Sequence, residues 1–231
     1  MGRAYGGVSA EDRRAQRRAA LVDAALDIVG THGAARLTVA GLVAQAGLNE
    51  RYFYENFATL DDVLVELADT VLAELTTAIV AAVAAAPDDS RAKARAAIGA
   101  GIDVIADDPR KARLLLVESL TAPVLGARRA DAAKALVALI VGQAQQFYGP
   151  ATVLRIGSWG EFAALHVLGG LSETVTAWVR GDLAIDRAEL TDRCTELFVL
   201  VGEHVIAGAT DPPEPTPSGR AAARRPRRPA R

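Results

Sequence analysis

The chain has 231 residues, of which 51% are hydrophobic, 23% charged and only 5% aromatic. That length supports a hydrophobic core without covalent staples, the Ala-, Leu- and Val-rich, aromatic-poor composition favours helices over an all-β sandwich, and the single cysteine excludes an internal disulfide and a Cys-based zinc site. The formal net charge of −2 looks wrong for a nucleic-acid partner, yet it averages +1 over residues 1–60, −7 over 61–210 and +4 over 211–231.

Residues 1–12 read as a disordered arm, with glycine at positions 2, 6 and 7. The arm has no apolar stretch, and Glu11-Asp12-Arg13-Arg14 closes it, so no secretory signal is expected. With an unpaired cysteine, the expected compartment is the reducing cytoplasm. Helical periodicity begins near Arg13: Leu21, Ala25, Ile28 and Val29 share one face, and Arg14, Arg17 and Arg18 lie nearer solvent. Gly33 is a C-terminal stop.

Thr38 predicts the cap of a short helix over 39–46, and Gly47 ends it. After this tight turn Asn49 caps a second short helix over 50–56, which carries Tyr52, Phe53 and Tyr54. Thr59 and Asp62 form a capping box for the helix 60–86, where Val63, Leu67, Val71, Leu75, Ile79 and Val83 recur every four residues. Pro87-Asp88-Asp89-Ser90 stops it. Further helices are predicted at about 91–106, 110–121, 127–148, 151–180 and 186–208, punctuated by proline and glycine. No segment alternates with period two, so no sheet is expected. The uncharged stretch Ala135–Leu154 is long enough to cross a bilayer, but its glutamines and the Gly149-Pro150 break make it a buried soluble helix and a turn, with no membrane partner. From residue 209 a proline- and arginine-rich tail follows, too poor in apolar residues to pack.

Two short helices around a glycine turn, the second carrying exposed polar and aromatic groups, describe a helix-turn-helix. A two-turn helix fits the DNA major groove and offers its N-terminal side chains to base edges. The landmarks Ala25, Ile28, Gly33, Leu37-Thr38-Val39, Leu42, Ala46-Gly47-Leu48, Tyr54-x-x-Phe57 and Asp61-x-x-Leu64 occur in one ungapped order. Over residues 13–75 this pattern resembles the DNA-binding region of the TetR family of transcriptional regulators.

The resemblance implies a recognition helix at about 50–56. Glu50, Arg51, Tyr54 and Glu55 match positions that face bases or the groove floor, while Thr38, Tyr52 and Asn56 match positions that touch phosphate. Asn49 stands at the cap where the family commonly has serine, and is counted with the DNA-binding residues. Phe53 and Phe57 match core pins. Arg51 is the strongest base-reading candidate, since a bidentate arginine–guanine contact is worth about 1–3 kcal/mol of discrimination. Leu60 stands where the family commonly has a phosphate-binding lysine. Arg13, Arg14, Arg17 and Arg18 either reach flanking phosphates or form a solvated helix face, and the arginines of the tail are open to the same two readings.

For the remainder, the resemblance implies an all-α ligand-binding and dimerisation domain over 61–208. The stripes on 151–180 and 186–208 suggest a four-helix interface between two copies, with Gly160, Ala164, Val167, Leu171, Leu197 and Val201 at the contact. Glu118, Phe147, Tyr148, Trp159, Phe162 and His166 are candidate liners of an effector pocket, with Ser119 beside them. No histidine lies in metal-ligand spacing and no glycine loop follows a strand, so neither metal, cofactor nor enzymatic activity is expected. The expected function is a homodimeric repressor that binds a palindromic operator on double-stranded DNA and is released by a small apolar or amphipathic effector. The alternatives are an activator or partner-controlled regulator of the same fold, and a helical enzyme or binding bundle with a vestigial DNA motif.

Overall fold

A computed structural model describes residues 9–210. The arm before Ser9 and the tail after Thr210 lie outside the described residues. Within them the chain forms ten α-helices with no strand. They are α1 (Ala10–His32), α2 (Val39–Gln45), α3 (Glu50–Tyr54), α4 (Leu60–Ala85), α5 (Ser90–Asp107), α6 (Pro109–Ala112), α7 (Pro123–Tyr148), α8 (Pro150–Ile156), α9 (Ser158–Val179) and α10 (Arg187–Thr210). A 3₁₀ turn at Ala34–Arg36 joins α1 to the next helix, and a π-helical turn, Arg113–Val117, then a 3₁₀ turn, Glu118–Leu120, lie between α6 and α7.

The caps follow local chemistry. The hydroxyl of Thr38 accepts from the Gly41 N–H at 3.1 Å, and Asn49 Oδ1 accepts from Tyr52 N at 3.2 Å. Thr59 and Asp62 cap each other's backbone at the start of α4. Gly47 lies at φ +64°, which lets the Leu48 N–H turn back to the Val43 carbonyl at 2.8 Å and close the turn between α2 and α3.

Several predicted boundaries move. The first helix starts at Ala10 rather than 13, because Ser9 and Asp12 form a capping box. The predicted helix 151–180 is two helices: Gly157, at φ +55° and ψ −139°, breaks it into α8 and α9. The stretch 110–121 is helical but not one α-helix, passing from α6 through the π-helical turn into the 3₁₀ turn, and α7 begins at Pro123, four residues earlier than expected. The final helix runs to Thr210, two residues beyond its expected end at 208.

Helices α1, α2 and α3 close a small unit on the first turns of α4, around Leu21, Leu42, Phe53 and Val63, all fully buried. The long α4 then packs along α5 and α7, and α10 lies along α5. Ion pairs seal that last contact: Arg187 reaches Asp107 at 2.7 Å and Asp103 at 3.1 Å, and Arg95 reaches Asp192 at 2.7 Å. Helices α4 and α9 are long and apolar enough to cross a bilayer by length and composition alone. The stretch Ala135–Leu154 is the end of α7 and the start of α8, broken at Gly149.

The helical body grips the small unit at the C-terminal end of α1. Arg110 pairs with Asp27 and Asp108, and its Cβ lies so close that a Cβ on Gly30 would meet it at 2.4 Å. Glu118, only 7% exposed, accepts from the Ala34 N–H at 2.9 Å and from Arg113 Nε at 3.1 Å, while Arg113 Nη1 donates to the Thr31 carbonyl at 3.0 Å. Residues five apart point well away from each other on an α-helix; the wider π-helical turn brings Arg113 and Glu118 to one side.

Candidate nucleic-acid interface

Helix α3 is held from behind and open in front. Phe53 is fully buried and Phe57 nearly so, their rings 6.2 Å apart. Both core pins implied by the resemblance are buried. Glu50, Arg51 and Tyr54 project from the other side, with Arg51 84% and Tyr54 63% exposed. The Tyr54 ring meets the Phe53 ring edge-on at 5.1 Å, which fixes its direction while leaving the hydroxyl end outside. Thr38 and Asn49 are exposed at the N-termini of α2 and α3, each engaged as a cap.

The other expected contacts are placed differently. Asn56 is buried, its amide donates to the Tyr52 carbonyl at 2.7 Å, and its Oδ1 has no hydrogen-bond partner. It closes the end of α3 and presents little surface to a phosphate. Glu55 turns back along the helix: its carboxylate accepts from Arg51 Nε at 2.9 Å and lies 3.8 Å from Arg17 Nη2. Tyr52 is half-buried beneath the Arg17 guanidinium, 4.4 Å from its ring centre.

Three arginines of α1 have partners within the chain. Arg14 Nη2 donates to the Glu55 carbonyl at 2.6 Å. Arg18 Nη1 donates to the Asn56 carbonyl at 2.5 Å, its Nε donates to Glu66 at 2.7 Å, and its guanidinium lies 4.2 Å from the Phe57 ring centre. Arg14, Arg17 and Arg18 therefore clamp the C-terminal end of α3 to α1 and α4. Local spacing puts them on the polar face of α1 but carries no signal of partners 38 to 48 residues away.

At the start of α4, Leu60 is half-buried, and Asp61 and Asp62 are exposed. The Asp62 carboxyl is held below its ordinary value of 3.8, first by the Thr59 backbone N–H, then by the Thr59 hydroxyl and the Ala58 N–H. This carboxylate is committed to the cap, and nothing at Leu60 replaces the cation of the family pattern.

The expected effector liners are not gathered into one cavity. Glu118 is spent at the grip on α1, and Ser119, also buried, donates to the Leu115 carbonyl at 2.6 Å. Phe147 is half-buried with the Lys93 ammonium 5.0 Å from its ring centre, and Tyr148 is 39% exposed. Trp159, Phe162 and His166 form a stacked ladder on the outer face of α9, with ring centres 5.3 Å and then 6.2 Å apart. An open groove of about 560 Å³ runs along α4 past Asn56, Asp62 and Glu66, and another of about 520 Å³ lies against Gly142, Gln143 and Pro150. Neither groove is lined by any of the expected effector liners.

The expected interface residues also divide. Ala164 is buried within the chain, Leu171 packs on the core, and Val167 and Val201 are half-buried. Gly160 makes room for Ile156, whose Cγ2 a Cβ there would meet at 2.8 Å. Leu197 is exposed at 62%. On α9 the large apolar groups left exposed are Trp159, Phe162, Leu165 and Val179, and on α10 Leu200 joins the expected Leu197; Leu154 of α8 is exposed as well. Sequence reasoning missed Leu165 and Leu200, which lie off the most apolar stripe of each helix.

A three-helix unit with an outward-facing third helix, continued by a long α4 into an all-helical body, matches solved transcriptional regulators. The fatty acid degradation regulator FadR from Bacillus halodurans superposes with a TM-score of 0.66 at 20% identity, covering 79% of this chain and 94% of that one. FadR from Bacillus subtilis, solved in complex with stearoyl-CoA, gives 0.67 at 20% identity over 78% and 97%. A TetR-family regulator from Shewanella sp. PV-4 gives 0.63 at 18% identity over 79% and 95%. The chain has the TetR-type fold. By sequence alone, no family model and no curated protein matches it. Fold matches run through the body as well as the small unit, so the likeness extends well past the residues 13–75 that carry the motif.

Proposed function

We propose that this chain is a ligand-responsive, DNA-binding transcriptional regulator, with residues 13–60 as the DNA-binding domain and 61–208 as the effector-binding and dimerisation domain. In this reading α3 enters the major groove, with Arg51 and Tyr54 addressed to base edges and Thr38 to phosphate. The observation that carries it is the placement of α3: rigidly pinned by Phe53 and Phe57, clamped by three arginines, and exposed only where Glu50, Arg51 and Tyr54 stand. Buried pins and clamps give a base-reading helix the rigidity that sub-ångström hydrogen-bond readout requires.

A second copy covers the Trp159, Phe162, Leu165, Leu197 and Leu200 surface, so the regulator is a homodimer. Large exposed apolar groups on two packed helices, α9 and α10, support this. A two-fold dimer presents two α3 helices to half-sites about one DNA turn apart, hence a palindromic operator. The effector is a small apolar or amphipathic molecule, in keeping with the acyl-CoA found in one structural neighbour. It acts as a repressor that the effector releases, by shifting the dimer towards a DNA-incompetent arrangement. No catalytic step is proposed, and the site of action is the cytoplasm.

Selection of duplexes from a random pool by the full chain tests the reading. Enrichment of a palindrome is the expected result. Failure to enrich any duplex would contradict it and favour a helical bundle with a vestigial motif.

A further inference from the structure

Arg51 is an exposed side chain held in one direction, and the group that holds it is Glu55. Its Nε donates to Glu55 Oε1 at 2.9 Å, one helical turn on. That bond engages Nε and leaves the two terminal nitrogens of the exposed guanidinium for another acceptor pair. Guanine offers two adjacent acceptors, O6 and N7, in the major groove, and a planar fork with both terminal nitrogens forward matches them.

Glu55 is itself fixed. It stands at the C-terminal end of α3, where its N–H donates to the Arg51 carbonyl at 3.0 Å and its own carbonyl accepts from Arg14 at 2.6 Å. Its second carboxylate oxygen faces Arg17 at 3.8 Å, and Arg17 is in turn stacked over Tyr52. A chain of contacts thus runs from α1 through Glu55 to Arg51. A long arginine pays a large ordering cost when it binds; one already oriented pays less, and only for the base that fits the orientation.

We propose that Glu55 is a specificity-determining positioning residue: it buttresses Arg51 for a bidentate contact with one guanine per half-site and does not itself touch a base. This rests on the DNA-binding reading above. It makes a signed prediction that other roles do not share. Removing the Glu55 carboxylate frees Arg51 to swing among phosphates and removes a negative charge from the DNA-facing surface. Discrimination at one guanine then falls while affinity for unrelated duplex holds or rises.

The test uses the full chain and a duplex enriched by it from a random pool. Binding of wild type, Arg51→Ala, Glu55→Ala and Glu55→Gln is measured on that duplex, on versions with each G·C pair replaced by A·T, and on a scrambled duplex. Far-UV circular dichroism checks that each variant is folded. Arg51→Ala identifies the guanine it reads by losing preference there. Glu55→Ala is expected to lose about twofold or more of the preference at that same pair, with scrambled-duplex affinity undiminished. Glu55→Gln, which keeps an acceptor for Nε, retains most of it. Unchanged preference in Glu55→Ala would overturn the proposal, as would an equal loss at every position. An enriched duplex with no pair sensitive to Arg51→Ala overturns the buttress while leaving DNA binding intact; no enriched duplex at all overturns the DNA-binding reading and the buttress with it.

Discussion

The small N-terminal unit and the body's outer helices are built on opposite terms. In the unit nearly every large apolar side chain is inside: α1 alone buries Leu21, Val22, Leu26 and Val29, and the aromatic Phe53 has no exposed surface. In the body, the 26-residue α7 buries only Leu125 and α8 buries nothing, while α9 leaves Trp159, Phe162 and Leu165 outside. The unit spends its charged side chains, Arg14, Arg17 and Arg18, on holding one short helix still. The body's far face spends apolar ones on nothing within the chain. In the proposed reading, a rigid DNA-facing helix and an uncovered apolar surface are what a two-copy regulator requires of one polypeptide.

That contrast can be broken by substitution. Phe53→Ala empties the centre of the unit and is expected to cost about 3–5 kcal/mol of unfolding free energy, read by chemical denaturation. Phe162→Ala, on the exposed ladder, is expected to leave the monomer's stability within about 0.5 kcal/mol. It should instead weaken self-association by about 2 kcal/mol if its ring anchors the interface, seen as a monomer shift in sedimentation. A Phe162 variant that lowers stability as much as Phe53→Ala, with association unchanged, would erase the distinction.

At the seam between the two regions, Glu118→Ala strips the Ala34 N–H of its acceptor and leaves Arg113 without its carboxylate. The expected loss is about 1–3 kcal/mol, with faster amide exchange at Ala34 as the local signature. The smallest effect concerns Asp62. Its carboxyl titrates below its ordinary value of 3.8 because the folded cap stabilises the charged form. A lowered native value means stability that is complete above the unfolded value and lost as the pH falls through the native one. The stability difference between wild type and Asp62→Ala should therefore be constant near neutrality and vanish at acid pH below 3.8. A difference that grows on acidification would contradict the cap.

Much of this was legible in the sequence where the physics is local. Thr38, Asn49 and Thr59 cap the helices their spacing announces, because a cap needs only a side-chain oxygen and an N–H three residues on. The pins Phe53 and Phe57 come with the family resemblance, and both are buried. The Ser9 cap uses the same local chemistry, hidden beside a glycine-rich arm. The rest depends on distance in sequence. Nothing near Arg18 announces Glu66, and nothing near Glu118 announces Ala34, 84 residues away. Helix α9 is apolar on all sides, so its periodicity does not say which face lies outward; Ala164 went inward, and Trp159 and Phe162 outward. The π-helical turn at 113–117 has no composition of its own, and its register is tied to the contacts that Arg113 and Glu118 make on α1.

The central claim is that the exposed face of α3 reads DNA. Fluorescence anisotropy of a labelled duplex enriched by the wild-type chain tests it most directly, comparing wild type with the triple variant Arg51→Ala, Tyr52→Ala, Tyr54→Ala. The account predicts that the triple variant stays folded and dimeric and loses at least a hundredfold in affinity for that duplex. A folded triple variant that binds as tightly as wild type would contradict it.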